Sequence, residues 1–276
     1  GEVQFLKKFG YGQTQIYECN IQQSHYASDD CKDFYKFKDK VKLATWHAGG
    51  NWGDLWNYKA LHLPRLNSFA KLLSLGIRVL GFPQSLYYKN QQLMWRDAEL
   101  LKRGVNETVG LENGKDWVTL CWRQIDSFEK AKELYPFVNN VLLPDIAFSV
   151  DPILRYDRFP TVDDIEIPEN NQSGAQYDIL YLLRQDKETS IQGSSDIRKN
   201  QIQSILKSHN KNLTFLIGDW TDINKFYHKK LSKEIKNHEN FHYDTRLAAA
   251  TSFISQGKVI VTDRLHGSIF AFLHFL

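Results

Sequence analysis

The sequence predicts an α/β protein in two units, each a parallel sheet flanked by helices. Three observations predict it. From about residue 41, short apolar runs alternate with amphipathic helical stretches. The rhythm halts at "DPILRYDRFPTVDDIEIPENNQSGAQ" (151–176), which carries three prolines, many acids and no period. It then restarts and runs to the end of the chain.

Taken in order, residues 1–40 are polar and aromatic without a clear period, and "VKLATWHA" (41–48) reads as the first strand. A glycine-rich turn follows, then a helix reaching about Leu75 and a strand at "IRVLGFP" (77–83). "NQQLMWRDAELLKRG" (90–104) reads as a helix that stops at Gly104. "DWVTLCWRQ" (116–124) is a strand, and "DSFEKAKELYP" (126–136) a short helix capped by Asp126 or Ser127 and closed by Pro136. "NNVLLPDIAF" (139–148) completes the first unit. The second unit has strands at "YDILYLLRQ" (177–185), "LTFLIGDW" (213–220) and "KVIVTD" (258–263), with helices at 196–209, through 223–256 and at "SIFAFLHFL" (268–276). The expected division is an N-terminal domain 1–150, whose residues 1–40 are irregular, a linker 151–176, and a C-terminal domain 177–276. Three strands are few for a closed domain, so the protein is expected to continue beyond Leu276.

The 276 residues are 42% hydrophobic and 13% aromatic, enough to bury a sizeable core. A net charge of +3 argues against a nucleic-acid-coating role and tolerates an anionic substrate. No apolar run is long enough to span a bilayer. The opening "GEVQFLKKFG" does not read as a signal peptide, though a membrane anchor ahead of residue 1 is compatible with it. Cys19 and Cys31 either pair or remain thiols, Cys121 lies in a buried strand, and no Cys/His spacing indicates zinc. Sequons stand at Asn106, Asn171 and Asn212.

Right-handed crossovers place all carboxyl ends of parallel strands on one edge, where ligands bind. Polar residues at those ends are therefore the candidates. "WHAGGNWGDLW" (46–56) puts His47, Asn51, Trp52, Gly53 and Asp54 where the first strand hands over to a helix. The glycines let a ligand approach the backbone, and a helix N-terminus there would attract an anion or polar sugar. Asp54 reads equally as a helix cap, and Trp52 and Trp56 equally as packing aromatics. The spacing departs from the dinucleotide fingerprint. "ILYLLRQDKE" (179–188) ends in Arg184, Asp186, Lys187 and Glu188, either an anion clamp or a solvated charge run. "VIVTDRLHGS" (259–268) delivers Arg264 and His266 to the mouth of the last helix, which fits acid–base work on an anion. Gln84, Ser85, Arg123 and Ser127 lie on the same edge and read more readily as caps or turn residues. Asp163-Asp164 falls in the linker, and no DxD motif calls for a metal.

The ordered series "GGNWGD" (49–54), "GFPQS" (81–85), "WRQIDS" (122–127), "LLPDIAF" (142–148), "LLRQDKE" (182–188) and "DRLHG" (263–267) resembles the polysaccharide pyruvyltransferase family from about Val41 onward. One departure is Gln124, where the family usually has an aspartate after the arginine. The resemblance implies a GT-B-like pair of Rossmann-like domains with the site in the cleft between them. It implies phosphoenolpyruvate as donor and a pyruvate ketal on two hydroxyls of a terminal hexose, classically O4 and O6 of β-galactose on a cell-surface glycan. On that reading Arg184, Arg264, Leu265, His266, Gly267, Ser85 and Lys187 bind the donor, and His47, Asn51, Trp52 and Gly53 the acceptor. Arg184, Arg264, His266 and Asp54 are the catalytic set. His266 moves a proton or contacts phosphate, and Asp54 is the possible base. Neither cofactor nor metal is expected. The partners are phosphoenolpyruvate and a galactose-terminated glycan, with no nucleic acid. A eukaryotic member would work in the Golgi lumen or membrane, a bacterial one in the cytoplasm. Rival readings are a GT-B glycosyltransferase using a nucleotide sugar, sialyltransferase-like, and an inactive glycan-binding relative.

Overall fold

A computed structural model describes residues 6, 16, 34–56, 58–149, 176–184, 195–208, 212–219, 253–254 and 256–275. The chain divides into two compact units, Gly1–Val150 and Asp151–Leu276. Cys19, Cys31, Asn171, Lys187 and the connection at 151–175 lie outside the described residues.

The first unit is a parallel five-stranded sheet. Strands β1 (Leu43–Trp46), β3 (Arg78–Tyr87), β4 (Val118–Trp122) and β5 (Asn139–Leu142) run in the order β1-β3-β4-β5, and β2 (Gly49–Gly53) also pairs with β3. β1 takes the first part of β3 (Leu43 opposite Arg78) and β2 the last part (Gly49 opposite Gln84, Gly53 opposite Tyr87). β1 and β2 are thus two pieces alongside one ten-residue strand.

Among the described residues three helices of ten residues or more accompany this sheet. Helix α1 (Leu63–Ser74) carries Pro64 in its first turn, where its fixed φ is tolerated. Helix α2 (Gln91–Thr108) is capped by Asn90, whose side chain accepts the Leu93 N–H at 3.1 Å. Helix α3 is Ile125–Leu134. α2 does not stop at Gly104 as its sequence predicts: Gly104 is buried facing α1, where an added Cβ would stand 3.0 Å from the Ala70 Cβ. That glycine serves helix contact, and the helix ends four residues later, ahead of Gly110 at φ 80°.

The core of the unit is aromatic. Trp52, Trp122, Tyr135 and Phe69 are each under 2% exposed and meet edge-on or stacked, with Ile77, Leu101, Val105 and Leu120 around them. Cys121 is a buried thiol whose pKa burial pushes up to about 11, so it is inert packing rather than a nucleophile.

The second unit holds a parallel three-stranded sheet in the order β7-β6-β8: β6 (Tyr177–Leu182), β7 (Phe215–Gly218) and β8 (Gly257–Thr262). Helices α4 (Ser195–Ser208) and α5 (Leu265–Phe275) belong to it. Leu180 and Leu182 are fully buried against Phe253. At the amino ends of the strands Asp178 accepts hydrogen bonds from the Thr214 N–H and hydroxyl, each at 2.9 Å, and from Lys258 at 2.7 Å. The lysine contact is the main reason its pKa falls to about 2.

Gly53 sits at φ 117°, and a Cβ there would fall 1.8 Å from the Tyr87 carbonyl oxygen. Gly53→Ala therefore combines an unfavourable backbone with a steric collision on β3. Chemical denaturation should show a loss of at least about 2 kcal/mol; a loss under about 0.5 kcal/mol would mean that β2 does not run against β3 as described.

Candidate functional site

The carboxyl ends of both sheets carry polar clusters, and each is built around an arginine held by a buried aspartate. In the second unit Arg184 follows β6, Asp219 follows β7, and Asp263 and Arg264 follow β8. The Arg184 N–H donates to Asp263 Oδ1 at 2.7 Å, which ties the end of β6 to the end of β8. The Thr262 hydroxyl donates to the Leu182 carbonyl at 2.6 Å and accepts the Arg264 N–H at 3.0 Å. The Arg264 guanidinium donates side-on to Asp219, Nε to Oδ1 at 2.5 Å and Nη2 to Oδ2 at 2.8 Å. Leu265 opens α5, and His266 is exposed in its first turn. Gly267 is buried: a Cβ would come within 2.8 Å of Leu182 Cδ2 and Thr262 Oγ1. Only a glycine lets the start of α5 press this close to the strand ends, and that contact aims the first turn of the helix.

In the first unit the expected anion site at a helix N-terminus over 49–54 does not form. The glycine-rich stretch is strand β2, and regular α-helix begins at Leu63. The backbone groups that a ligand would have needed are used inside the fold: the Gly53 N–H donates to His62 Nδ1 at 3.2 Å and the Asp54 N–H to the Tyr87 carbonyl at 3.1 Å. Two further expectations change with it. Trp52 is 1% exposed, enclosed by His62, Phe69, Trp122 and Tyr135, and its Nε1 donates to Tyr135 Oη at 3.1 Å, so its ring is core and offers no face to a sugar. Asp54 accepts the N–H groups of Lys89 and Asn90, at 2.7 and 2.8 Å, with separate oxygens. It fastens β2 to the turn before α2, and the role of base is withdrawn from it in favour of this structural one.

His47 stands exposed after β1. Its Nδ1 donates to the Ala48 carbonyl at 2.8 Å and its Nε2 accepts from buried Arg65, which fixes the ring. Although the residue as a whole is exposed, desolvation of its ring, and then the Arg65 charge, hold its pKa below the usual histidine value. Gln84, 2% exposed, donates to the His47 carbonyl at 2.9 Å. Ser85 Oγ accepts Arg123 Nε at 2.8 Å, and Arg123 Nη1 donates to buried Asp145 at 2.6 Å. Ser127 Oγ accepts the Leu86 N–H at 3.0 Å, joining α3 to β3. Of Asn51 only the backbone is described.

Sequence reasoning missed Asp145 and Asp219 as members of these clusters. Both follow strand ends, in "LLPDIAF" and "LTFLIGD", so the rule that selected the arginines would have found them. It also missed a buried network under β2. His62 is 1% and Asp97 0% exposed. Because the Gly53 N–H occupies His62 Nδ1, the ring proton sits on Nε2 and points to Tyr88 Oη at 2.7 Å. Tyr88 and Tyr58 then donate to the two Asp97 oxygens at 3.1 and 2.6 Å, and Arg96 donates to Tyr58 Oη at 2.7 Å. Burial depresses the His62 pKa. Burial alone would raise that of Asp97, but its contact with His62 and the hydrogen bonds from Tyr58 and Tyr88 outweigh it and the net shift is down. Among the described residues no group of three or more His, Cys, Asp or Glu side chains could hold a metal ion.

The sequence pattern of the family described as Polysaccharide pyruvyl transferase matches residues 113–275, a span that starts before β4 and takes in every described element of the second unit. The chain is also similar to Pyruvyl transferase 1 of Schizosaccharomyces pombe, at 26% identity over 265 residues. That alignment covers 94% of this chain and 56% of the relative, so the chain spans little more than half the relative's length.

The His62 network sets a pH response. An unfolded histidine takes up its proton near pH 6.5, whereas folded His62, with its pKa lowered, stays neutral to lower pH. Its contribution to stability is therefore complete above 6.5 and is lost as pH falls below that value towards the folded pKa. Asp97 shifts the same way but acts only below its ordinary value of 3.8. Urea denaturation from pH 7 to 5 should show stability falling, with a limiting slope of about 1.4 kcal/mol per pH unit for this one proton. His62→Gln should remove that part of the slope. Equal slopes in the two proteins would count against a neutral buried His62.

Proposed function

Because this chain belongs to the polysaccharide pyruvyl transferase family, we propose that it moves the pyruvyl unit of phosphoenolpyruvate onto two hydroxyls of a terminal hexose, forming a 4,6-ketal on β-galactose and releasing phosphate. The observation that carries this reading is the Asp263 link in the second unit. It brings the strand ends bearing Arg184 and Arg264 together, beside the first turn of α5 with His266. Two arginines suit a substrate with two anionic groups, since each offers a planar fork of donors to phosphate or carboxylate.

The proposed chemistry uses those groups in sequence. Arg184 and Arg264 hold the phosphate and carboxylate, with the backbone at Leu265 and Gly267 and the side chain of Lys187 completing the donor set within the second unit. A proton is added to the methylene carbon, and the central carbon becomes oxocarbenium-like. One sugar hydroxyl attacks it, forming the first C–O bond and giving up its proton. The C–O bond to phosphate then breaks, and the second hydroxyl closes the ketal. Of the two hydroxyl protons lost, one balances the new methyl group and the other leaves on phosphate. His266 transfers a proton or donates to the departing phosphate. In the first unit His47 and Asn51 are the proposed contacts for acceptor hydroxyls, while the Gly53 N–H, spent on His62, is not among them. Phosphate leaves readily once its charge is met, so the two guanidinium groups serve where a metal otherwise would, and no cofactor is invoked. The proposed setting is the Golgi lumen or membrane of a eukaryote; Asn106 and Asn212, two of the three sequon asparagines, are exposed.

Incubation with phosphoenolpyruvate and a β-galactoside should release inorganic phosphate and give a product heavier by one pyruvate ketal, with turnover surviving chelator. Arg264→Ala should lower kcat/KM by well over tenfold, since a group that stabilises transition-state charge is worth a few kcal/mol. Turnover with a nucleotide sugar instead, or activity of the variant within twofold of wild type, would overturn the assignment.

A further inference from the structure

We propose that Asp219 is a positioning residue for this reaction: it fixes the direction in which Arg264 presents its guanidinium, without contacting substrate itself. The proposal rests on the reading above that Arg264 binds the phosphoenolpyruvate anion.

Asp219 directly follows the last residue of β7, and its side chain is 0% exposed. A carboxylate buried this completely is strongly unfavourable unless a cation meets it with good geometry. Arg264 does so with two bonds, Nε to Oδ1 and Nη2 to Oδ2. Two near-parallel bonds define the guanidinium plane, where a single bond would leave it free to swing. The main chain beneath is fixed as well, through the Arg264 N–H on Thr262 Oγ1 and the Thr262 hydroxyl on the Leu182 carbonyl. With the Arg264 side chain 13% exposed, its orientation at the strand edge is set by Asp219 from below.

The pairing has an electrostatic consequence opposite in sign to its geometric one. Asp219 offsets the charge of Arg264 and so weakens the pull of this edge on any anion. If charge alone governed binding, removing the carboxylate would tighten the hold on phosphoenolpyruvate. If direction governs it, removal loosens that hold, because a bidentate donor must reach its acceptor in a defined plane. A purely structural ion pair would alter melting temperature and leave the affinity of the folded protein unchanged.

The experiment measures phosphoenolpyruvate Kd, melting temperature and hydrogen exchange at Arg264 Nε by nitrogen-15 NMR. It uses wild type, Asp219→Asn, Asp219→Glu, Arg264→Ala and the double variant Asp219→Asn/Arg264→Ala. Asp219→Glu keeps the charge but shifts the carboxylate by one methylene, so it probes geometry even where Asp219→Asn fails to fold. The expected result is a Kd raised at least tenfold in both single Asp219 variants, faster exchange at Arg264 Nε, and no further loss from Asp219→Asn in the Arg264→Ala background. Unchanged or tighter binding in the Asp219 variants overturns the proposal, as does an additive double variant. Wild type that binds no phosphoenolpyruvate while Arg264 Nε still loses protection in Asp219→Asn overturns the donor assignment instead. Unaltered exchange overturns the orientation claim itself.

Discussion

An enclosed carboxylate must meet a cation, and both sheets satisfy that requirement at their carboxyl edges. Asp145 holds Arg123 beyond β4, and Asp219 holds Arg264 beyond β8. In each case the acid follows one strand and the arginine another, so the pair spans the edge of the sheet. The arrangement is not a strong source of stability, since burying both charges costs nearly what their attraction returns. What it supplies is fixity: a long flexible side chain is held to one plane where polar chemistry is expected. The remaining features of the second edge, from the Thr262 hydrogen bonds to the close seat of Gly267, keep Arg264 in register with that acid.

The first unit solves a related problem below its edge. β2 has little side-chain bulk of its own apart from Trp52, and its last backbone donor would be orphaned in the core. His62 accepts it, and each proton in the resulting chain has one consistent place: on His62 Nε2, on Tyr88, on Tyr58. Such networks rigidify when every member is satisfied. This one uses up the histidine and aspartate that would otherwise attract a catalytic reading, and burial keeps both from solvent. His47, by contrast, is exposed after β1, with both ring nitrogens engaged, one by the Ala48 carbonyl and the other by Arg65.

The family pattern and the physical reading rest on different properties of the chain. Similarity to a pyruvyl transferase covers most of this sequence but little more than half of the relative. The strand-end clusters, meanwhile, follow from chain direction in a parallel sheet, which collects residues far apart in sequence on one edge. Arg184 and Asp263 are joined by a hydrogen bond across 79 positions, and Asp219 and Arg264 across 45.

Periodicity by itself determined the succession of strands and helices and the parallel sheets, because alternating elements leave few other ways to bury their apolar faces. Strand direction likewise pointed to Arg184, Arg264 and His266. What it could not reach was decided by contact. Gly104 has the local signature of a helix stop and became a helix contact, because Ala70 lies opposite it. The stretch at 49–53 has the signature of a turn and became a strand, because β3 is long enough to pair with it after β1 has ended. Trp52 and Asp54, equally able to serve a ligand or the fold, were claimed by the fold. Partners for Asp219 and Asp145 lie on other strands, and a local pattern carries no record of which strand ends will be neighbours; only the tertiary arrangement supplies it.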